Sequence, residues 1–226
     1  MAEFTLPGTD DRTAVIGRTG SGKTQLGVWL LSKMPLASMP WVIIDYKGDE
    51  LINAIGRAEQ IGYDTIPSKP GLYILRVLPD DEELLSDWFR RVWEIGGIGI
   101  FIDEGYMIGQ RDRWFNACLT QGRSKRIPMV VLTQRPLWLS RFVFSESSYF
   151  FVFDLTDADD LRVVKRFVKS DERDTLEQQQ PRYWSRYYDV GNRTLMNVKP
   201  VPEGDVILAE IEARLPKEKP RRDYPT

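Results

Sequence analysis

The stretch Gly17-Arg18-Thr19-Gly20-Ser21-Gly22-Lys23-Thr24 constrains this chain more than any other feature of it. An apolar, β-branched run, Thr13-Ala14-Val15-Ile16, precedes it and the helical segment Gln25–Ser32 follows, so it reads as a loop between a buried strand and a helix. Its spacing is G-x-x-x-x-G-K-[ST]. Glycines at these positions let the backbone curl until successive N–H groups face one point, and the following helix adds the positive end of its dipole. A loop of this kind holds the phosphates of a nucleoside triphosphate. Arg18, Thr19, Gly20, Ser21 and Gly22 form the expected cradle, Lys23 the cation on the β- and γ-phosphates, and Thr24 a Mg²⁺ ligand.

A site of this type needs a carboxylate from another strand. The run Ile98–Asp103 is apolar until it ends in Asp103-Glu104. Asp103 suits the Mg²⁺ water shell, and Glu104 suits a base that orients and activates an attacking water. A glutamate there favours hydrolysis over phosphoryl transfer to a metabolite, since a small-molecule kinase must keep water inactive. Gln134 ends a further apolar run, Met129–Gln134, and can hydrogen-bond the γ-phosphate or the water. Composition narrows the chemistry further. The chain has no histidine and one cysteine, which excludes Ser-His and Cys-His pairs, His-ligated metals, internal disulfides and multi-cysteine zinc sites. Cys118 reads as a buried structural residue, and proton transfer falls to carboxylates, Lys, Tyr or water.

Six short strand-like runs are legible: around Thr13–Gly17, Trp41–Asp45, Leu72–Val77, Ile98–Asp103, Met129–Gln134 and Ser148–Leu155. Helical patterns separate most of them, at Gln25–Ser32, Glu50–Ile61, Asp80–Ile95, Trp114–Gln121 and Ala158–Val168. In the third of these, Leu84, Trp88, Val92 and Ile95 share one face. Alternating strands and helices with near-continuously apolar strands argue for an α/β fold with a mainly parallel central sheet covered on both faces. After residue 180 the pattern changes to two strand-like runs around Gly191-Asn192, a C-terminal β-hairpin over about 182–198. Whether it closes over the nucleotide base or packs between subunits the sequence leaves open. The expected division is an ATPase domain over 1–199 and a C-terminal tail over 200–226, with one helix near Val206–Leu215 and a mobile end.

Taken in order, GRTGSGKT, WVIIDYKGDEL, GIFIDEG and GRSKRIPMVVLTQRP resemble the FtsK/HerA superfamily of P-loop ATPases, oligomeric motors that move DNA. The short chain, with no room for extra domains, looks most like the compact double-stranded DNA packaging ATPases of tailless icosahedral viruses. The resemblance implies an ASCE or RecA-like P-loop NTPase fold, ATP and Mg²⁺ as cofactors, and a homo-oligomeric ring of five or six subunits. It also implies duplex DNA as partner, with a capsid or membrane vertex protein as a docking partner. Arg123 takes the position from which the family reaches a neighbouring subunit's γ-phosphate, and Arg126 is a second candidate. Arg111 and Arg113, with Lys125, imply contacts to DNA phosphates in a ring channel. For Asp45-Tyr46-Lys47-Gly48-Asp49 the simplest account is a turn leading into a helix; the resemblance suggests more there without assigning a physical role.

Formal net charge is −2, yet Gly105–Ser145 holds seven basic residues against one acid, Asp112. Global charge therefore does not advertise nucleic acid, while the central segment is locally basic. The N-terminal MAEFTLPGTDD has no basic-then-apolar signal pattern and no apolar run approaches about 18 residues, so no direct membrane insertion is expected. A cytoplasmic protein is expected, in the host cytoplasm or at a virion vertex if viral. Two other function classes stay open: a nucleotide or metabolite kinase, and an ATP-gated assembly or binding protein. Within the resemblance, a conjugation or chromosome-segregation pump is the remaining alternative.

Overall fold

The computed structural model describes residues 5–169 and 176–216. Nine strands form one sheet in the order β3-β4-β2-β5-β6-β1-β7-β8-β9. They are β1 (Arg12–Ile16), β2 (Pro40–Asp45), β3 (Glu59–Ile61), β4 (Gly71–Arg76), β5 (Gly99–Asp103), β6 (Met129–Thr133), β7 (Tyr149–Val152), β8 (Ser185–Asp189) and β9 (Thr194–Val198). The first seven run parallel, and β8 and β9 are antiparallel. The expected hairpin is therefore the antiparallel end of the main sheet, joined to it through β7, and no separate unit.

Helices cover both faces. Helices α1 (Lys23–Ser32), α2 (Glu50–Asn53) and α7 (Gly204–Arg214) pack with Val15, Trp41, Ile43, Phe101 and Leu132 on one side. On the other, α3 (Glu82–Ile95), α4 (Arg113–Gln121), α5 (Arg141–Glu146) and α6 (Ala158–Val164) pack with Ala14, Ile16, Val42, Ile102 and Val131. Alternate residues of one strand thus enter opposite cores, as a twofold side-chain period requires. Helix α7 docks on α1 through buried Ile207 and Ile211 and a Lys33–Glu210 ion pair. The end of the chain after residue 216 lies outside the described residues.

Two local expectations differ from the structure. The segment Glu50–Ile61 is a four-residue helix followed by an edge strand, β3. Pairing of Glu59–Ile61 with Tyr73–Leu75 satisfies backbone groups that β4 would otherwise expose, and that gain outweighs the helical spacing of Leu51, Ile55 and Ala58. In α3 the buried stripe is Leu85, Trp88, Phe89 and Val92, whereas Leu84 and Ile95 face solvent. The helix is rotated so that its two large aromatics enter the core, which buries more apolar area than the other stripe would.

Candidate nucleotide site

The glycine loop leaves the C-terminal end of β1 and enters α1. Gly17 donates to the Thr133 carbonyl at 3.2 Å, and a Cβ there would stand 2.6 Å from Phe153 Cβ and 2.8 Å from Ser21 Oγ. Gly20 (φ 75°) and Gly22 (φ 98°) take left-handed backbone that side chains disfavour. Gly22 is the N-cap of α1 and contributes no side-chain acceptor, so the first amides of the helix remain available to an anion. Lys23 is buried, and its Nζ donates to the Arg18 carbonyl at 3.1 Å. Burial holds its pKa below the usual lysine range, against the pull of the nearby Glu104 and Asp103 carboxylates.

Asp103 ends β5 and stands opposite Asp45, the last residue of β2, in the strand register. It is buried, and burial, aided by Glu104 and Asp49, pushes its carboxyl up to about 7. Glu104 follows in left-handed backbone (φ 60°, ψ 51°), a conformation costing about 1–2 kcal/mol for a residue with a Cβ. A short 3₁₀ turn, Gly105–Met107, continues the chain. Strain at this point redirects the chain just after the strand tip. Asp103 Oδ2 and Glu104 Oε2 are both buried without a hydrogen-bond partner. Two orphaned carboxylate oxygens beside a phosphate loop suit a hard divalent cation and its water shell. Among the described residues no group of three or more acidic, Cys or His side chains could hold a metal by itself. Mg²⁺ at such sites is held by one or two protein oxygens together with the substrate phosphates.

Strand β6, which carries Gln134 at its tip, lies between β5 and β1 and so between the acid pair and the loop. Both ends of the Gln134 amide are occupied. Thr19 Oγ1 donates to Gln134 Oε1, and Gln134 Nε2 donates to the Tyr106 hydroxyl at 3.1 Å. The Tyr106 ring packs at 6.3 Å from Trp138, which follows Gln134 in the next turn. Tyr106 therefore ties the turn after Glu104 to the strand tip that touches the loop. Sequence reasoning passed over it, because a tyrosine two residues beyond an acid pair carries no pattern of its own.

The turn Asp45–Asp49 also enters this site, with Lys47 Nζ 3.6 Å from Glu104 Oε1. A cleft of about 420 Å³ opens between Lys47 and Asp49, the loop residues Thr19, Gly20 and Gly22 with the first turn of α1, and a wall made by Phe153, Tyr183 and Val201. Its volume suits a nucleotide, and the aromatic wall offers a face for a base.

The basic residues divide into two groups. Arg111 and Arg113 flank Asp112, the N-cap of α4, and Arg113 lies over the Trp114 ring at 5.1 Å. Arg123, Lys125 and Arg126 lie past the other end of α4, before β6 begins. Arg123 and Arg126 are exposed, and Arg126 has left-handed backbone (φ 55°). Lys125 stacks on Trp93 at 4.1 Å. Since β6 runs parallel to β1 for five residues, about 13 Å, Arg123 and Arg126 stand at the end of the sheet away from their own phosphate loop. Lys125 is likewise not brought together with Arg111 and Arg113.

No protein-family model matches the chain. It is 41% identical over 218 residues to the DNA packaging ATPase P9 of Enterobacteria phage PRD1, covering 92% of this chain and 94% of that one. The genome packaging NTPase B204 of Sulfolobus turreted icosahedral virus 2, solved in complex with AMPPCP, superposes with a TM-score of 0.67 at 20% identity. That match covers 86% of this chain and 100% of B204. EssC (ATPases 2 and 3) from Geobacillus thermodenitrificans superposes with a TM-score of 0.65 at 12% identity, over 94% of this chain and 47% of that one. The two structural likenesses speak to the fold alone.

Proposed function

The chain belongs to the DNA packaging ATPases of viruses and is an ATP-driven packaging motor, and on that premise we propose how its residues divide the work. Lys23 and the loop from Arg18 to Thr24 hold the triphosphate, Glu104 accepts a proton from the attacking water, and Gln134 senses the γ-phosphate. The observation that carries this reading is the meeting of Lys23, Gln134, Asp103 and Glu104 at the C-terminal ends of three neighbouring strands.

The chemistry follows from the arrangement. Water oxygen bonds to the γ-phosphorus as the bond to the β–γ bridging oxygen breaks, leaving ADP and phosphate. Glu104 is a competent acceptor because one of its oxygens is buried and unpartnered. Lys23 offsets charge gathering on the phosphate oxygens, in a buried setting where a cation acts more strongly than in water. Mg²⁺, held by Thr24 and through water by Asp103, would supply further neutralisation of the β- and γ-phosphates.

Arg123, with Arg126 as alternative, is exposed at the far end of the sheet, which supports a role toward a neighbouring subunit's γ-phosphate and hence a ring of five or six subunits. Double-stranded DNA is the cargo, contacted without sequence readout by Arg111 and Arg113 and, from the other end of α4, by Lys125. A capsid or membrane vertex protein docks the ring at a virion vertex or in the host cytoplasm. No helix among the described residues is long and apolar enough to cross a membrane.

The test is phosphate release by the assembled protein at low salt, with and without long duplex DNA and with no other acceptor. DNA should raise turnover, and Glu104→Gln should lower it by about 10²–10⁴-fold while ATP stays bound. Turnover indifferent to DNA, or unaffected by Glu104→Gln, refutes the assignment.

A further inference from the structure

The turn Asp45–Asp49 is built more firmly than a connection requires. Asp45 is fully buried, and its Oδ1 accepts from the backbone N–H groups of Lys47 at 3.0 Å and Gly48 at 2.8 Å. Its Oδ2 pairs with Arg76 Nη1 at 3.1 Å. Gly48 is left-handed (φ 74°), and Arg76 Nη1 lies 2.5 Å from where a Cβ would be, so a side chain there would be strained and would displace the Arg76 guanidinium. Asp49 then caps α2 by accepting from Leu51 N–H at 2.9 Å. The backbone of Lys47 is therefore fixed on all sides while its side chain stays half-exposed.

Where that side chain goes is specific. It lines the same cleft as Thr19, Gly20, Gly22, Lys23 and Thr24. Its ammonium is close enough to influence Lys23 and Asp103 electrostatically, and it faces Glu104 Oε1 at 3.6 Å, longer than a hydrogen bond. Two ammonium groups in one cleft repel unless a multiply charged anion sits between them. A loose, half-exposed ion pair contributes little, whereas a charge-assisted hydrogen bond to a phosphate oxygen is shorter and stronger.

We propose that Lys47 exchanges Glu104 for the terminal phosphate of the bound triphosphate, so that the base is released from its cation when there is a phosphate to attack. The proposal rests on the ATPase reading above and adds a residue to it. A diphosphate lacks the group that Lys47 seeks, so in that state the ammonium stays with Glu104. Lys47 thereby distinguishes the nucleotide before hydrolysis from the one after it.

The experiment measures affinities of the intact chain and of Lys47→Met and Lys47→Arg for a non-hydrolysable ATP analogue and for ADP, with magnesium, together with kcat and KM. Lys47→Met should weaken the analogue by about tenfold and ADP by less than about twofold, with a lower kcat. Lys47→Arg, which keeps the charge, should recover most of the analogue affinity. Equal loss for both nucleotides would mark Lys47 as structural and overturn the inference, as would unchanged analogue affinity in Lys47→Met. Should the unaltered chain bind neither nucleotide, the ATPase reading itself falls and the inference with it, a result distinct from the other two.

Discussion

Replacing Tyr106 with Phe removes a single oxygen and tests whether the strand tip between loop and acid pair is held for catalysis. The ring keeps its packing on Trp138, and the lost contact is the 3.1 Å hydrogen bond from Gln134 Nε2. Both partners are only partly buried, so water can replace the hydroxyl in the resting protein, and stability should change by no more than about 0.5 kcal/mol. During reaction the amide must keep its oxygen on Thr19 and its remaining N–H toward the phosphate, and without the tyrosine it is free to turn. A net neutral hydrogen bond of about 1 kcal/mol then appears in the barrier, which lowers kcat about fivefold. KM should stay within about twofold, because Lys23 and the loop amides proposed to hold the nucleotide are untouched. Steady-state phosphate release across ATP concentrations reads both constants, and a thermal melt reads stability. An unchanged kcat would refute the reasoning. So would a drop in Tm beyond about 4 °C, which would show that the hydroxyl serves packing.

Two further predictions address the oligomer and the core. Arg123→Ala and Glu104→Gln subunits, each inactive alone, should regain part of the ATPase activity when mixed and reassembled, since a Glu104→Gln subunit supplies the arginine that an adjoining Arg123→Ala subunit's site lacks while that site keeps its own Glu104; no recovery would exclude Arg123 from acting across subunits. Cys118 is fully buried with its Sγ 3.5 Å from the Phe89 carbonyl, and burial pushes its thiol up to about 12. At pH 8 the folded protein should leave a thiol reagent unreacted, with a thiolate fraction on the order of one in ten thousand, and should react fully once unfolded in denaturant. Rapid reaction of the native protein would contradict that burial.

Much of the site was legible because its chemistry depends on local spacing. Three glycines, a lysine and a threonine between a strand and a helix carry their function within eight residues, as do two acids at the end of an apolar run. The mainly parallel sheet was likewise readable from six near-continuous apolar runs, since a strand buried on both faces leaves no polar side to show. What neighbours what was not readable. Glu59–Ile61 became a strand because β4 left an edge open, and Lys47 reached Glu104 because Asp45 and Asp103 end adjacent strands in register. Tyr106 acquired a partner 28 residues away for the same reason. The sequence by itself thus determined which groups are proposed to hold and cut a triphosphate, because each of those motifs is compact along the chain. Only the tertiary structure decided which side chains steer them, because long-range strand order brings together residues whose separation in sequence leaves no periodic trace.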